Sequence, residues 1–139
     1  MAVITKRADL SSRREGEIID ITPEIAEAVS STGLRNGTVT VFVQGSTGAI
    51  TTMEYEPGLV RDLPDALERI APRGATYRHE ERWHDGNGHS HVRASLLGPG
   101  ITIPFAEGKL TLGTWQQVVF MELDVRGRSR ELIFQIIGE

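Results

Sequence analysis

The chain has no cysteine among its 139 residues. Disulfide staples, a thiolate nucleophile, cysteine-ligated zinc and iron–sulfur clusters are thereby excluded. An excess of basic charge is missing too. Fifteen Lys and Arg against 19 Asp and Glu give a net charge of -4. A module that gains affinity by neutralising nucleic-acid phosphates has the opposite balance, so no nucleic-acid partner is expected. No run approaches the ~20 apolar residues of a membrane-spanning helix. Met1–Ile4 is too short for the apolar core of a signal peptide, and Lys6, Arg7 and Asp9 follow it at once. The expected location is therefore the cytoplasm, with no membrane partner. There is no Walker A loop and no G-x-G-x-x-G. Without repeats, low-complexity tracts or a long linker, one domain over residues 1–139 is the simplest organisation.

What is present is the ordinary balance of a globular domain, 39% hydrophobic and 24% charged. Val3–Asp9 and Gly16–Asp20 read as short strands joined by a polar turn. Thr22 reads as an N-cap followed by Pro23 and Glu24, with Ile25, Ala28 and Val29 as the buried stripe of a helix stopped by Gly33. Thr38–Val43 is rich in β-branched residues, and Ala49–Tyr55 resumes the strand pattern after Gly45–Gly48. Leu59, Leu63, Leu67 and Ile70 recur at helical spacing, and Pro64 places the expected helix start near residue 64, running to Ala71. Thr76–Arg82 reads as a strand and Trp83–Gly88 as a loop. A short helix is expected from His89 or Ser90 to Gly98. The remainder is β: Ile101–Phe105, Leu110–Leu112, Trp115–Leu123 and Arg128–Ile137. The last strand is apolar on both faces, which predicts cover on both sides by layers or a neighbouring subunit. Hairpin-linked strands with two to three short helices give an α+β fold, a largely antiparallel sandwich or half-barrel, rather than a doubly wound sheet.

All four histidines, His79, His84, His89 and His91, fall within thirteen residues, among Glu80, Glu81, Asp85 and Asn87. Imidazole beside carboxylate suits either a divalent cation or general acid–base work. The alternative is a solvated polar loop. His79 and His91 are the candidate metal ligands, with Zn favoured by imidazole and Mg by oxygen donors. Ser46 and Thr47, between two glycines, form a candidate phosphate loop or a tight turn. Glu54 is a candidate acid, and Asp62 a ligand contact or a helix cap. Trp115 and Gln116 suit stacking and hydrogen bonding to a planar ring, or a core position. Arg126, Arg128 and Arg130 alternate at a hairpin end and suit a phosphate or a solvated face.

Tyr77-Arg78-His79, the N-G-H-S-H of Asn87–His91, Leu96-Leu97-Gly98, Pro104, the L-G-T-W-Q-Q of Leu112–Gln117 and the E-x-D-x-x-x-R-x-R of Glu122–Arg130 together resemble the YjbQ-like family, also called the secondary thiamine-phosphate synthase family. The resemblance spans nearly the whole chain. It implies a compact α+β fold, a homotrimer with a pocket near subunit contacts, and a weak transfer joining a pyrimidine diphosphate to a thiazole phosphate with release of pyrophosphate. It places Glu54, Asp62, His79, Asn87, His91, Trp115 and Gln116 at recurrent polar positions. In that reading Glu54, His79, Asn87 and His91 carry the chemistry, while Ser46, Thr47, Asp62, Trp115, Gln116 and Arg128 hold a small, phosphorylated ligand. Two positions depart from the pattern: Gly45 stands where many members have histidine, and Met53 where they have asparagine. The other readings are a non-catalytic trimeric ligand- or metal-binding protein and a metal-assisted hydrolase.

Overall fold

The computed structural model describes residues 1–139. Its elements run β1 (Ala2–Ser11), β2 (Ile18–Asp20), α1 (Thr22–Ser30), β3 (Gly37–Val43), β4 (Gly48–Met53), α2 (Pro57–Ile70), α3 (His79–Trp83), α4 (Gly88–Leu97), β5 (Gly100–Ala106), β6 (Lys109–Leu110), β7 (Gln117–Glu122) and β8 (Ser129–Gly138). Two antiparallel sheets form, one ordered β1-β8-β3-β5-β6 and the other β2-β7-β4. The inner faces of both sheets and α1 enclose a core of 15 buried residues, among them Val39, Val41, Phe105, Phe120, Phe134, Ile25 and Val29. A second cluster of eight, including Ala49, Met53, Val119, Met121, Leu67 and Ala94, fills the space between the small sheet and helices α2 and α4. The molecule is thus a curled antiparallel α+β half-barrel with four helices.

Within one chain this layering covers only one face of the last strand. The strand covered on both faces is β7, whose Val118 and Phe120 belong to the first cluster and whose Val119 and Met121 belong to the second. In β8 only the face of Arg130, Leu132, Phe134 and Ile136 is buried; Ile133, Gln135 and Ile137 point outward. On that outer face Ile137 lies opposite Val3 and Thr38. Val3, Phe42 and Ile137 are among the exposed large hydrophobic residues.

Three helix boundaries also differ, each for a local reason. Thr22 is not the N-cap of α1. The Asp20 carboxylate accepts the Thr22 N–H at 2.9 Å, and the Thr22 hydroxyl instead accepts the Val118 N–H at 2.9 Å. Helix α2 begins at Pro57, well before residue 64, because the Glu56 side chain accepts the N–H groups of Gly58 and Leu59. Pro57 suits that start, and Pro64 is carried inside the helix. Thr76–Arg82 is not a strand: a five-residue helix occupies His79–Trp83. The segment offers no period-2 apolar face, whereas Glu80 and Glu81 place negative charge in a helical first turn. Helix α4 starts at Gly88, one residue before the expected range. A Cβ there would lie 2.5 Å from Tyr77 Cβ, so only glycine fits beneath the Tyr77 ring. The last β expectation shortens as well. Strand β7 starts at Gln117, leaving Trp115 and Gln116 in the preceding loop.

Candidate functional site

The site forms where α3, the α3–α4 loop, the start of α4 and the β7–β8 turn meet. Glu80 ties the first of these together, since its Oε1 accepts the Gly88 N–H at 2.7 Å at the N-terminus of α4. His84, at φ 56°, turns the chain sharply after α3. Asp85 is thereby brought back to His79, with Oδ1 3.2 Å from Nε2. His91, one turn into α4, sets its ring against His79 with 4.4 Å between centroids. One ligand atom each from His79, Glu80 and Asp85 lies within 4.8 Å of the others.

Asn87 joins this cluster to the inner sheet. In one orientation its amide nitrogen donates to Asp124 Oδ1 at 3.3 Å. Turned over, the same nitrogen donates to Asp85 Oδ1 at 2.8 Å and lies 3.0 Å from His79 Nε2. Asp124 is the second centre. It accepts from the Thr47 hydroxyl at 3.2 Å, from Arg128 Nη1 at 2.6 Å and from the Val125 N–H at 2.8 Å. Beside it the buried Glu122 and Arg130 form an ion pair, and Arg130 Nη2 also donates to the Thr47 hydroxyl at 2.9 Å.

The Asp124 carboxyl is held at about 2, below its ordinary 3.8. Burial is the largest single influence and works against ionisation. The hydrogen bonds from Arg128, Val125, Asn87 and Thr47 together outweigh it. A carboxylate whose pKa is depressed by folding stabilises the native state above its unfolded pKa and loses that contribution as pH falls towards the folded value. Between about pH 5 and pH 2 the protein is therefore expected to lose on the order of 2 kcal/mol through this group. Urea titrations across that range would show it as a steep acid limb, and Asp124→Asn would flatten the limb. An unchanged acid limb in the variant contradicts this assignment.

Of the residues singled out in the sequence, the structure gathers His79, Asn87, His91, Thr47 and Arg128 into this one region. Ser46 is exposed beside it and makes no hydrogen bond. Glu54, Trp115 and Gln116 lie elsewhere. Strand β4 pairs with β7 from Gly48 opposite Glu122 to Met53 opposite Gln117. Six residues of strand span about 17–20 Å, so Glu54 and Trp115 stand at the far end of the small sheet from Asp124. Glu54 and Trp115 are exposed, Trp115 at 73%, and Gln116 bonds to Thr52. Asp62 sits on the surface of α2 and caps nothing.

The sequence marks Asp85 and Glu80 only as carboxylates beside the histidines, Arg130 only as one of three alternating arginines, and Asp124 and Glu122 only within a motif. The signal for the last three was in E-x-D-x-x-x-R-x-R, whose acids and bases nest across the turn as Asp124–Arg128 and Glu122–Arg130. Gly45, where the resemblance leads one to expect histidine, has φ 113°, and a Cβ there would lie 3.0 Å from Arg130 Nη1. The loop is therefore built around glycine, and a histidine is strained there whatever its chemistry.

Fold and cluster define a small antiparallel α+β protein with a histidine–carboxylate–amide site at one end of its inner sheet. The chain belongs to the family described as UPF0047 protein YjbQ-like, whose model matches residues 6–139. A UPF0047 protein of Methanothermobacter thermautotrophicus is 40% identical over 139 residues, covering 100% of this chain and 95% of that protein. One from Archaeoglobus fulgidus is 37% identical over 128 residues, 92% of this chain and 97% of its own. Among solved structures, a YbjQ-like protein of unknown function from Sulfolobus solfataricus superposes with a TM-score of 0.89 at 31% identity, covering 99% of this chain and 100% of that one. A YjbQ/UPF0047 protein from Clostridium acetobutylicum gives 0.85 at 34% identity, over 95% and 99%. The family is one of unknown function. No helix is long and apolar enough to cross a membrane.

Proposed function

We propose that the protein is a metal-assisted enzyme acting on a small phosphorylated molecule, with hydrolysis the reaction best suited to its site. The observation that carries this reading is the meeting of His79 Nε2, an Asp85 oxygen and a Glu80 oxygen within 4.8 Å. Tetrahedral ligands of a zinc-sized ion stand about 3.3 Å apart, close to the 3.2 Å between His79 and Asp85. A mixed imidazole and carboxylate donor set favours Zn or a similar borderline cation over Mg. Such a cation would supply Lewis-acid polarisation and an acidified water. The chain's own contributions are distinct. His91 stands against His79 as a candidate proton carrier, Asn87 orients Asp85 or His79, and Arg128, fixed by Asp124, is free to hold the phosphoryl end of the ligand.

A thiamine-phosphate-forming transfer fits less well. It would join a ring on Trp115 and Gln116 to a phosphate on Arg128, and one chain holds those groups at opposite ends of β4 and β7. That chemistry would need Trp115 and Glu54 from a neighbouring protomer. The test is elemental analysis of the purified protein together with phosphate release from simple phosphate esters. Stoichiometric metal and chelator-sensitive release are expected. Metal without turnover on any ester would favour a binding protein, and absence of metal would overturn the reading.

We also propose a homo-oligomer, with a trimer the expected form, formed through the outer face of the five-stranded sheet. The support is the exposed apolar set Val3, Phe42 and Ile137 on that face. Ile137→Glu is expected to shift sedimentation from an assembly to the 15.3 kDa chain. A parent protein that sediments only as the single chain at micromolar concentration would rule the assembly out.

A further inference from the structure

We propose that the cavity between the β7–β8 turn and the end of β1 is a phosphoryl-binding subsite. It measures about 520 Å³ and is lined by Ser11, Ser12, Arg126, Gly127, Arg128 and Ser129, with no carboxylate and no hydrophobic side chain. The inference rests on the reading of Arg128 as a ligand-binding residue and supplies the groups that complete its grip. In a chain of net charge -4, this is a place where two guanidinium groups face one hollow without a lining acid.

Each group has donors to spare. Arg128 uses Nη1 on Asp124 Oδ2, which fixes the guanidinium plane and leaves the rest of its N–H fork open. Asp124 is itself fixed by Thr47 and the Val125 N–H, so this arginine is held ready without a ligand. Arg126 forms none of the chain's ion pairs. Ser11 and Ser129 lie directly opposite each other in the β1–β8 register, and both are exposed. Ser12 has another task, since its hydroxyl donates to Glu122 and accepts the Arg128 N–H at 2.8 Å. Gly127 closes the turn against the Ser12 backbone; a Cβ there would stand 2.5 Å from Ser12 O. The hollow thus depends on a glycine that cannot be replaced without moving β1.

Two planar cations and two hydroxyls around a carboxylate-free hollow suit a tetrahedral dianion, which can accept from all of them at once. A carboxylate has fewer oxygens and one charge. The ligand class is therefore a phosphate monoester or a diphosphate. Its anionic end would rest at Arg126 and Arg128.

Calorimetric titration of the purified protein with inorganic phosphate and with pyrophosphate, in EDTA and at fixed ionic strength, tests this directly. Saturable binding is expected. Arg126→Met, a surface change that touches no buried bond, should weaken it at least about tenfold, with acetate silent throughout. Absence of saturable binding by either anion overturns the proposal. So does binding that appears only when the titration is repeated with divalent metal in place of EDTA and is unchanged in Arg126→Met, because the anion would then sit on the cation. Metal content of the parent is measured separately. A metal-free parent that still binds phosphate in an Arg126-dependent manner supports this subsite and removes only the metal reading.

Discussion

Arg130→Ala is expected to destabilise the protein by about 3–5 kcal/mol, and Glu122→Ala by a similar amount. The Glu122 side chain is 0% exposed and that of Arg130 5%. Removing either leaves a charge in the interior without its counter-charge. The pair is also the anchor of several backbone and hydroxyl groups. Arg130 Nε donates to Glu122 Oε1 at 3.0 Å, and its Nη2 holds the Thr47 carbonyl at 3.2 Å. Glu122 accepts the Ser12 hydroxyl and the Asp124 N–H. Losing the pair therefore loosens the Thr47 loop, the β1 end and Asp124 together. Urea unfolding of both single variants measures the effect. Arg7→Ala is the control: its partner Glu131 is on the outer face and both side chains are over a third exposed, so a change below about 1 kcal/mol is expected. The double variant Arg130→Met with Glu122→Leu should recover part of the loss, because an apolar pair leaves no orphaned charge. Single variants that cost no more than the surface control would show that water reaches the pair.

Asp85→Asn and His79→Ala are expected to reduce metal affinity at least a hundredfold, with metal-dependent turnover falling alongside. Changes to groups that merely orient ligands already cost about 10–100-fold, and these two residues supply ligand atoms. Both side chains are partly exposed, His79 at 26% and Asp85 at 49%, so folding stability should move by no more than about 0.5–1 kcal/mol. That separation of stability from function is what makes the pair informative. His84→Asn is the matched control: it removes an exposed imidazole outside the ligand cluster and keeps a residue that tolerates the left-handed backbone at this turn. His91→Ala divides the remaining possibilities. Retained metal with lost turnover assigns His91 to proton transfer, and lost metal makes it a ligand. Full metal and full turnover in Asp85→Asn would end the case for a cation at this position.

Much of the β framework was legible because period-2 and β-branched patterns report directly on strands. Thr38–Val43 and the existence of β8 needed no tertiary information. The helical stripe of Leu59, Leu63 and Leu67 likewise placed α2, although its start was hidden in a side chain: Glu56 caps the helix through a contact that composition does not encode. The run 76–82 misled because Thr76 and Tyr77 favour strands and no apolar periodicity follows to mark a helix. The crowding of four histidines drew attention to the segment in which His79, Asp85 and His91 come together. It could not show that His79 would meet Asp85 or that His89 would instead be buried against Glu15, since both depend on a left-handed turn at His84 and on where α4 docks.

The sequence alone determined the class of molecule: a cysteine-free, acidic α+β protein of a recognisable family, with its histidines crowded into residues 79–91 and an acid–arginine motif at 122–130. Those properties follow from composition, local periodicity and motif spacing, which act over a few residues. Which strand lies inside was decided by tertiary structure, because β7 and β8 are both apolar on two faces and only the docking of α2 and α4 selects between them. Tertiary structure also drew Thr47, Asn87 and Arg128 onto Asp124 and sent Glu54 and Trp115 to the opposite end of the small sheet. Sequence separation carries no information about that choice. Register does: six paired residues of β4 and β7 set the distance between the two ends, and no local rule reaches across it.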